Sequence, residues 1–312
     1  MPKDGQPVSR TSLTSPVALH DPVMVAETLE YLRISELPRT PAPVIVDGTL
    51  GLGGHTAAIL AAHPTGHVVG LDRDAESLKL AEARLKRYRS RLKLVHGSFR
   101  TLVDELPHEW DQPSGVLLDL GISSWQLAER GFSFQTEAPL DFRMDPRSGQ
   151  PAAELVNGLP TRELADLLYE YGEERRSRRI AKAIVANRPV TTTTGLAEII
   201  ASAVGRSSRL HPATRSFQAL RIAVNDELGA LTDGLTQATE ALVPGGRLVV
   251  LTFHSLEDRI TKRFIKGETA LTQINKKVVR PTRKEVVHNP RSRSTKLRAA
   301  EKSVPVTSVT AE

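Results

Sequence analysis

Three acids and a glycine-rich turn carry the chemistry that can be read from this chain. Residues 44–55 run Val-Ile-Val-Asp-Gly-Thr-Leu-Gly-Leu-Gly-Gly-His: an apolar run, an acid, then a turn that opens a helix. Its glycines let the backbone approach a ligand that any Cβ would push away. A second apolar run ends in Asp72, 21 residues after Gly51. Turns of this kind place there the carboxylate that grips a ribose hydroxyl pair. The ligand class that follows is an adenosine-containing cofactor; an ordinary tight turn is the plain alternative. The turn reads G-x-G-G, not the G-x-G-x-x-G of dinucleotide sites, and Asp47 stands where a pyrophosphate would be repelled. An acid there attracts a cation, such as the ammonium or sulfonium of S-adenosylmethionine.

Two further segments end apolar runs with functional groups. Leu117-Leu-Asp119-Leu-Gly121 places a carboxylate and then a glycine at a strand tip. Asp119 can cap the following turn. Alternatively it holds an amino group beside a methyl donor. An exocyclic base amine is a poor nucleophile, and a carboxylate accepting its N–H bonds eases attack and proton loss. Thr252-Phe-His254-Ser-Leu-Glu257-Asp258-Arg259 follows another strong strand. Ser255 with Asp258 has the form of a helix N-cap with an acid at N3. His254 then sits at a strand tip, as a candidate for substrate contact or proton handling, or as a structural residue.

The elements that must position these groups alternate. Strands are expected at Val44–Val46, Val68–Leu71, Leu92–Val95, Val116–Leu120 and Arg247–Phe253. Helices are expected at Met24–Leu32, His55–Ala62, Ala75–Tyr88 and, as one long helix, Ala213–Leu242. Such alternation predicts an α/β fold with a parallel Rossmann-like sheet and helices on both faces. The pattern breaks over 125–209, where only helices are expected (Arg162–Tyr171, Glu173–Asn187, Leu196–Val204). The predicted organisation is a disordered segment 1–19, a discontinuous α/β domain (20–124 and 210–268), a helical insertion for substrate recognition (125–209), and a basic arm of low order (269–312). Phe217, Leu220, Ile222 and Val224 read as core.

Composition narrows the function further. A hydrophobic fraction of 39% supports a globular core. The net charge is +6, and Arg280–Lys302 alone holds eight Lys/Arg against two Asp/Glu, so one segment carries the whole excess. That segment predicts contact with an acidic polymer, above all nucleic acid, or else a solvated tail. The arginines of 175–179 are read as solvated surface, with phosphate contact as the alternative. There is no cysteine, which excludes disulfides, thiolate metal sites and covalent attack by a thiolate. Nine histidines show no metal-ligand spacing, and no metal is expected. No apolar run is long enough to span a membrane and no signal peptide is read, so the expectation is a cytoplasmic protein without membrane contact. A homodimer stays open.

Taken together, the motifs resemble those of bacterial small-subunit ribosomal RNA N4-cytosine methyltransferases, the RsmH/MraW type. The resemblance runs through Asp47–His55, Leu118–Ser124, Leu140–Asp145, Tyr171–Glu174, Phe217–Ile222, Val224–Leu228, Phe253–Arg259 and Asn289–Ser294. It implies a class I, S-adenosylmethionine-dependent enzyme with a helical insertion, acting on N4 of one decoding-centre cytidine of 16S ribosomal RNA in the small subunit. It implies cofactor contacts at Gly53, Gly54, His55, Asp72, Phe99, Asp119 and Gln126. Asp72 would take the ribose and Phe99 would flank the adenine. Many amino-methyltransferases carry an Asp/Asn-Pro-Pro-aromatic motif after the fourth strand. Asp119-Leu-Gly-Ile stands there instead, which leaves Trp125 and Phe142 as candidates to stack on the target base. Two rival readings are a nicotinamide-dependent oxidoreductase and a non-catalytic ribosome-assembly factor on the same sheet.

Overall fold

A computed structural model describes residues 22–129, 131–205 and 211–305. Seven strands form one sheet in the order β3-β2-β1-β4-β5-β7-β6. They are β1 Val44–Asp47, β2 His67–Asp72, β3 Leu92–His96, β4 Gly115–Asp119, β5 Arg247–Thr252, β6 Leu271–Gln273 and β7 Lys296–Lys302. The first five pair in parallel, and β7 runs antiparallel between β5 and β6. Central strands of a parallel sheet are covered on both faces, so they read as unbroken apolar runs rather than alternating ones. All four residues of β1 are buried.

Alternate residues feed two cores. Ile45, Val68, Leu117, Val249 and Leu251 face α1 (Val25–Tyr31) and α2 (Gly54–Ala62), packing on Leu32, Ile59 and Leu60. Val46, Val69, Val116, Leu118, Leu248 and Val250 face the other way, onto α4 (Leu102–Glu105), α11 (Glu227–Ala241) and α12 (Ser255–Gly267). A smaller cluster packs Leu50 of the glycine-rich turn on Ala81 and Leu85 of α3 (Ala75–Leu85). These apolar contacts fix the register, because a one-residue slip would exchange the two faces.

After β4 the chain leaves the sheet. It forms α5 (Ser124–Glu129), α6 (Ala152–Gly158), α7 (Thr161–Gly172), α8 (Ser177–Ala186), α9 (Thr193–Val204) and α10 (Thr214–Asn225). Leu164, Ala165 and Leu168 of α7, with Ile180, Ala181 and Ile184 of α8, show the three-to-four spacing of one buried face. They share a core with Ile200, Phe217 and Leu220. Burying each large side chain in it stabilises the unit by roughly 1.5–3 kcal/mol.

The structure corrects the sequence reading at three places. The helix expected over Ala213–Leu242 is two helices, broken at Asp226 in the left-handed region (φ 46°). The first half, α10, packs into the helical unit and the second, α11, onto the sheet, so the insertion extends to Asn225 rather than ending at 209. The helix expected from Glu173 starts only at Ser177, because Glu173 (φ 49°) ends α7.

The third correction concerns the C-terminal segment from 269, which is not an arm of low order. It supplies β6, β7 and α13 (Arg283–His288), and β7 is buried at Leu297, Arg298, Ala299 and Ala300. Its charges hid the strand. Lys296 and Arg298 bind Asp258 at 2.9 and 2.8 Å, and Lys302 caps the end of α11 through the carbonyls of Glu240 and Leu242. Residues 1–19, expected to be disordered, lie outside the described residues.

Candidate active site

The carboxyl ends of β1, β2, β4 and β5 converge on one cleft, where sheets of this kind bind ligands. Gly53 lies at φ 74°, a conformation that L side chains rarely adopt, and a Cβ there would meet Leu85 Cδ1 at 2.6 Å. The turn is thus shaped by absent side chains and opens α2 with Gly54 and His55. The first turn of a helix has no internal acceptor for its N–H groups.

Asp72 ends β2 as expected. Its Oδ2 accepts the Gly51 N–H at 2.7 Å and its Oδ1 accepts the Asp74 N–H at 2.8 Å. Each oxygen keeps a lone pair for a ribose hydroxyl. Burial pushes its carboxyl up to about 6, against the pull of those two N–H bonds.

Asp47 is tied into the turn it precedes. It is buried, Oδ1 accepts the Thr49 N–H at 3.3 Å, and Oδ2 accepts the Thr56 hydroxyl at 2.7 Å. Burial also raises its pKa. Each oxygen thus accepts one hydrogen bond from within the turn and, as in Asp72, keeps a lone pair. Thr49, which the sequence reading passed over, accepts the Asp119 N–H on its hydroxyl at 2.6 Å and so ties the turn to the tip of β4.

Asp119 does not cap the turn after it. Its Oδ2 lies 3.4 Å from His55 Nδ1, and its buried Oδ1 has no hydrogen-bond partner among the described residues. An unpaired buried carboxylate oxygen is costly, on the order of 1–3 kcal/mol or more, and marks a place where a donor belongs. His55 is buried, with Nε2 2.8 Å from the Val23 carbonyl. Its ring thus points at protein, and only its backbone N–H is left for a ligand.

Gln126 is buried as well. It donates to Asp74 Oδ2 at 3.1 Å and accepts the Ser123 N–H at 2.9 Å, which joins the β4 and β2 tips. Phe99 is half-buried beside the cleft. Two glycines make room for it: a Cβ on Gly48 would lie 3.1 Å from Phe99 Cβ, and one on Gly234 of α11 would lie 2.3 Å from Phe99 Cδ2. Nothing local in the sequence marks Gly234, which is 135 residues away along the chain.

His254 is held at the start of α12, and its buried Nε2, 3.0 Å from Glu257 Oε1, has no hydrogen-bond partner among the described residues. It caps α12 by accepting the Glu257 N–H on Nδ1 at 3.4 Å, while Glu257 Oε2 accepts the N–H groups of Phe253 and His254. The cap is one residue earlier than expected, at His254 with Glu257 rather than Ser255 with Asp258. His254, Glu257 and Glu227 form a cluster with metal-ligand spacing. Arg221 already takes both oxygens of Glu227 at 2.8 Å, so a guanidinium supplies the positive charge there. Phe142, a candidate for base stacking, is buried in the helical core against Phe132 and Phe217. Trp125 stays partly exposed in α5.

The glycine turn, the ribose-type carboxylate and the orphan oxygen of Asp119 fit an adenosine-based donor with a cationic centre. Among the described residues no helix is long and apolar enough to cross a membrane. The chain matches the model of the MraW methylase family over residues 17–303. It is 47% identical to the ribosomal RNA small subunit methyltransferase H of Thermomicrobium roseum, over 94% of this chain and 97% of that protein. It is 49% identical to the protein of the same name from Deinococcus radiodurans, over 95% and 93%. A nicotinamide-dependent oxidoreductase is thereby overturned. With this cleft and these relatives, the chain belongs to the MraW methylase family: it is a methyltransferase that uses S-adenosylmethionine.

Proposed function

We propose that this chain methylates an exocyclic amine of small-subunit ribosomal RNA, N4 of a decoding-centre cytidine in 16S RNA, by direct in-line transfer. The observation that carries the reading is the buried, unpartnered Oδ1 of Asp119 at the tip of β4, beside the cofactor turn. The relatives' printed names support the RNA class. When bound, the donor supplies an electrophilic methyl group on a sulfonium, which leaves without further activation.

The protein's task is then alignment and proton handling. Asp72 holds the ribose, the N–H groups at the start of α2 face the donor, and Phe99 flanks the adenine. Asp119 accepts an N–H of the incoming amine, which favours the nitrogen geometry needed for attack, and takes the proton released. The base is turned out of its RNA context to reach the cleft, with Trp125 as the stacking surface. His254 shapes the start of α12 through Nδ1. The absence of cysteine is consistent with a reaction that has no covalent enzyme intermediate.

RNA phosphates are met by exposed cations: Arg280, Arg283, Lys284 and Arg293 near the C-terminus, and Arg175, Arg178 and Arg179 at α8. The reaction takes place in the cytoplasm, where small subunits are made. The test is mass spectrometry of the target RNA segment after incubation with wild-type, Asp119→Ala and Asp119→Asn protein. N4-methylcytidine from the wild type and at least a hundredfold slower formation by both variants is the expected result (about 2.7 kcal/mol or more of lost stabilisation). Wild-type rates in both variants remove Asp119 from the reaction, and no methylated cytidine removes the substrate.

A further inference from the structure

Both ring nitrogens of His55 face acceptors. Nε2 lies 2.8 Å from the Val23 carbonyl, and Nδ1 lies 3.4 Å from Asp119 Oδ2. A backbone carbonyl has no proton to give, so Nε2 must carry one. A neutral ring with that proton would turn the lone pair of Nδ1 onto a carboxylate. The ring is 5% exposed and cannot relieve the clash through water.

The carbonyl it holds is itself fixed. Met24 donates its N–H to Glu285 Oε1 at 2.6 Å, and Pro22 packs on Gly54, within 3.0 Å of where a Cβ would stand. On the far side Asp119 is fixed by its own N–H on Thr49, and its Oδ1 has no partner among the described residues.

We propose that His55 works as a doubly protonated imidazolium, a positioning residue that holds Asp119 by Oδ2 and so aims Oδ1 at the incoming amine. This rests on the reading of Asp119 as the group that receives the amine. The titratable groups acting on the ring are Asp119 from β4 and Asp47 from β1; the segment preceding α1 contributes the Val23 carbonyl. Burial opposes the charge, but the Asp119 hydrogen bond and the two carboxyls outweigh it, and the imidazole is shifted above its ordinary value. With both ring nitrogens on acceptors, the clamp belongs to the protonated ring and is lost as the pH rises through the His55 titration. Turnover then declines on the alkaline side, because Asp119 loses its anchor, while donor binding is left unchanged.

The experiment uses full-length, donor-free protein labelled with 15N in its histidine rings. His55 is assigned by the signal missing in His55→Gln. Across about pH 5 to 9, both ring nitrogens of His55 should be protonated at neutral pH, with a midpoint above the ordinary imidazole value near 6.5. In Asp119→Asn that midpoint should fall by about one pH unit or more, because the partner charge is gone. Assays with donor and RNA should then show the alkaline limb of kcat in the wild type and its loss in His55→Gln, with the donor Kd by calorimetry within about threefold (under ~0.7 kcal/mol). A neutral His55 ring at pH 7, or a midpoint unmoved in Asp119→Asn, overturns the clamp. Failure to methylate any RNA amine, with the His55 titration as stated, would defeat the substrate reading and leave the clamp standing.

Discussion

Lowering the pH should loosen the methyl donor through a single carboxyl. Asp72 is raised from 3.8 to about 6 by burial, although its two oxygens accept the N–H groups of Gly51 and Asp74. Ribose hydroxyls donate hydrogen bonds, and an ionised carboxylate is the better acceptor. Near pH 5 roughly one molecule in eleven has Asp72 ionised, so the apparent Kd should be about tenfold larger than at pH 7.5. The sign is opposite for the donor-free fold. The folded chain holds the Asp72 proton more tightly than the unfolded chain, so stability falls as pH rises from 3.8 towards about 6 while donor affinity grows. Calorimetry of S-adenosylmethionine binding at a series of pH values measures the first effect. Asp72→Asn supplies the control, because Asp47 and His55 also titrate with shifted values. In that variant the slope should vanish and the affinity at pH 7.5 should fall by about ten- to a hundredfold, the loss of a charge-assisted hydrogen bond of roughly 1.5–3 kcal/mol. A wild-type Kd constant within about a factor of two over this range, or a slope that survives in Asp72→Asn, would refute the assignment.

Four further outcomes are expected. Gly234→Ala would place a methyl group 2.3 Å from Phe99 Cδ2 and push that ring from its seat; donor affinity should drop about tenfold by calorimetry, while Ala's better helix propensity, worth about 0.5–1 kcal/mol, offsets part of the stability loss. Phe142→Ala should cost about 3–5 kcal/mol in denaturant unfolding, because the ring is buried between Phe132 and Phe217 rather than offered to a base. Truncation before Lys296 removes a strand paired on both edges, so circular dichroism should show loss of the fold. Replacing Arg280, Arg283, Lys284 and Arg293 by Ala should instead preserve the fold and lower the salt slope of RNA binding by about three.

Much of the site was legible in one dimension because its parts are local. A strand tip, a glycine turn and a helix start lie within the twelve residues from Val44 to His55, and the spacing to Asp72 follows from one β-α-β unit. Asp119 ends an apolar run and could be placed for the same reason. His254 was harder to judge, since the sequence at a strand tip looks the same whether an imidazole meets a substrate or caps a helix. Phe142 looked available only because its partners, Phe132 and Phe217, come from separate segments of the insertion.

From its residue order alone, the chain determines a parallel sheet with a glycine turn and acids at the strand tips, because apolar runs and glycine turns act over short distances. Tertiary structure decided the rest. It turned a basic segment into the buried strand β7, because Asp258 and the end of α11 take up the charges of Lys296, Arg298 and Lys302. It gave each oxygen of Asp47 a partner while leaving one of Asp119 without, and it set Gly234 against Phe99. Those outcomes depend on which groups meet across more than a hundred residues or across separate elements, and such meetings are fixed only when the two cores close on the sheet.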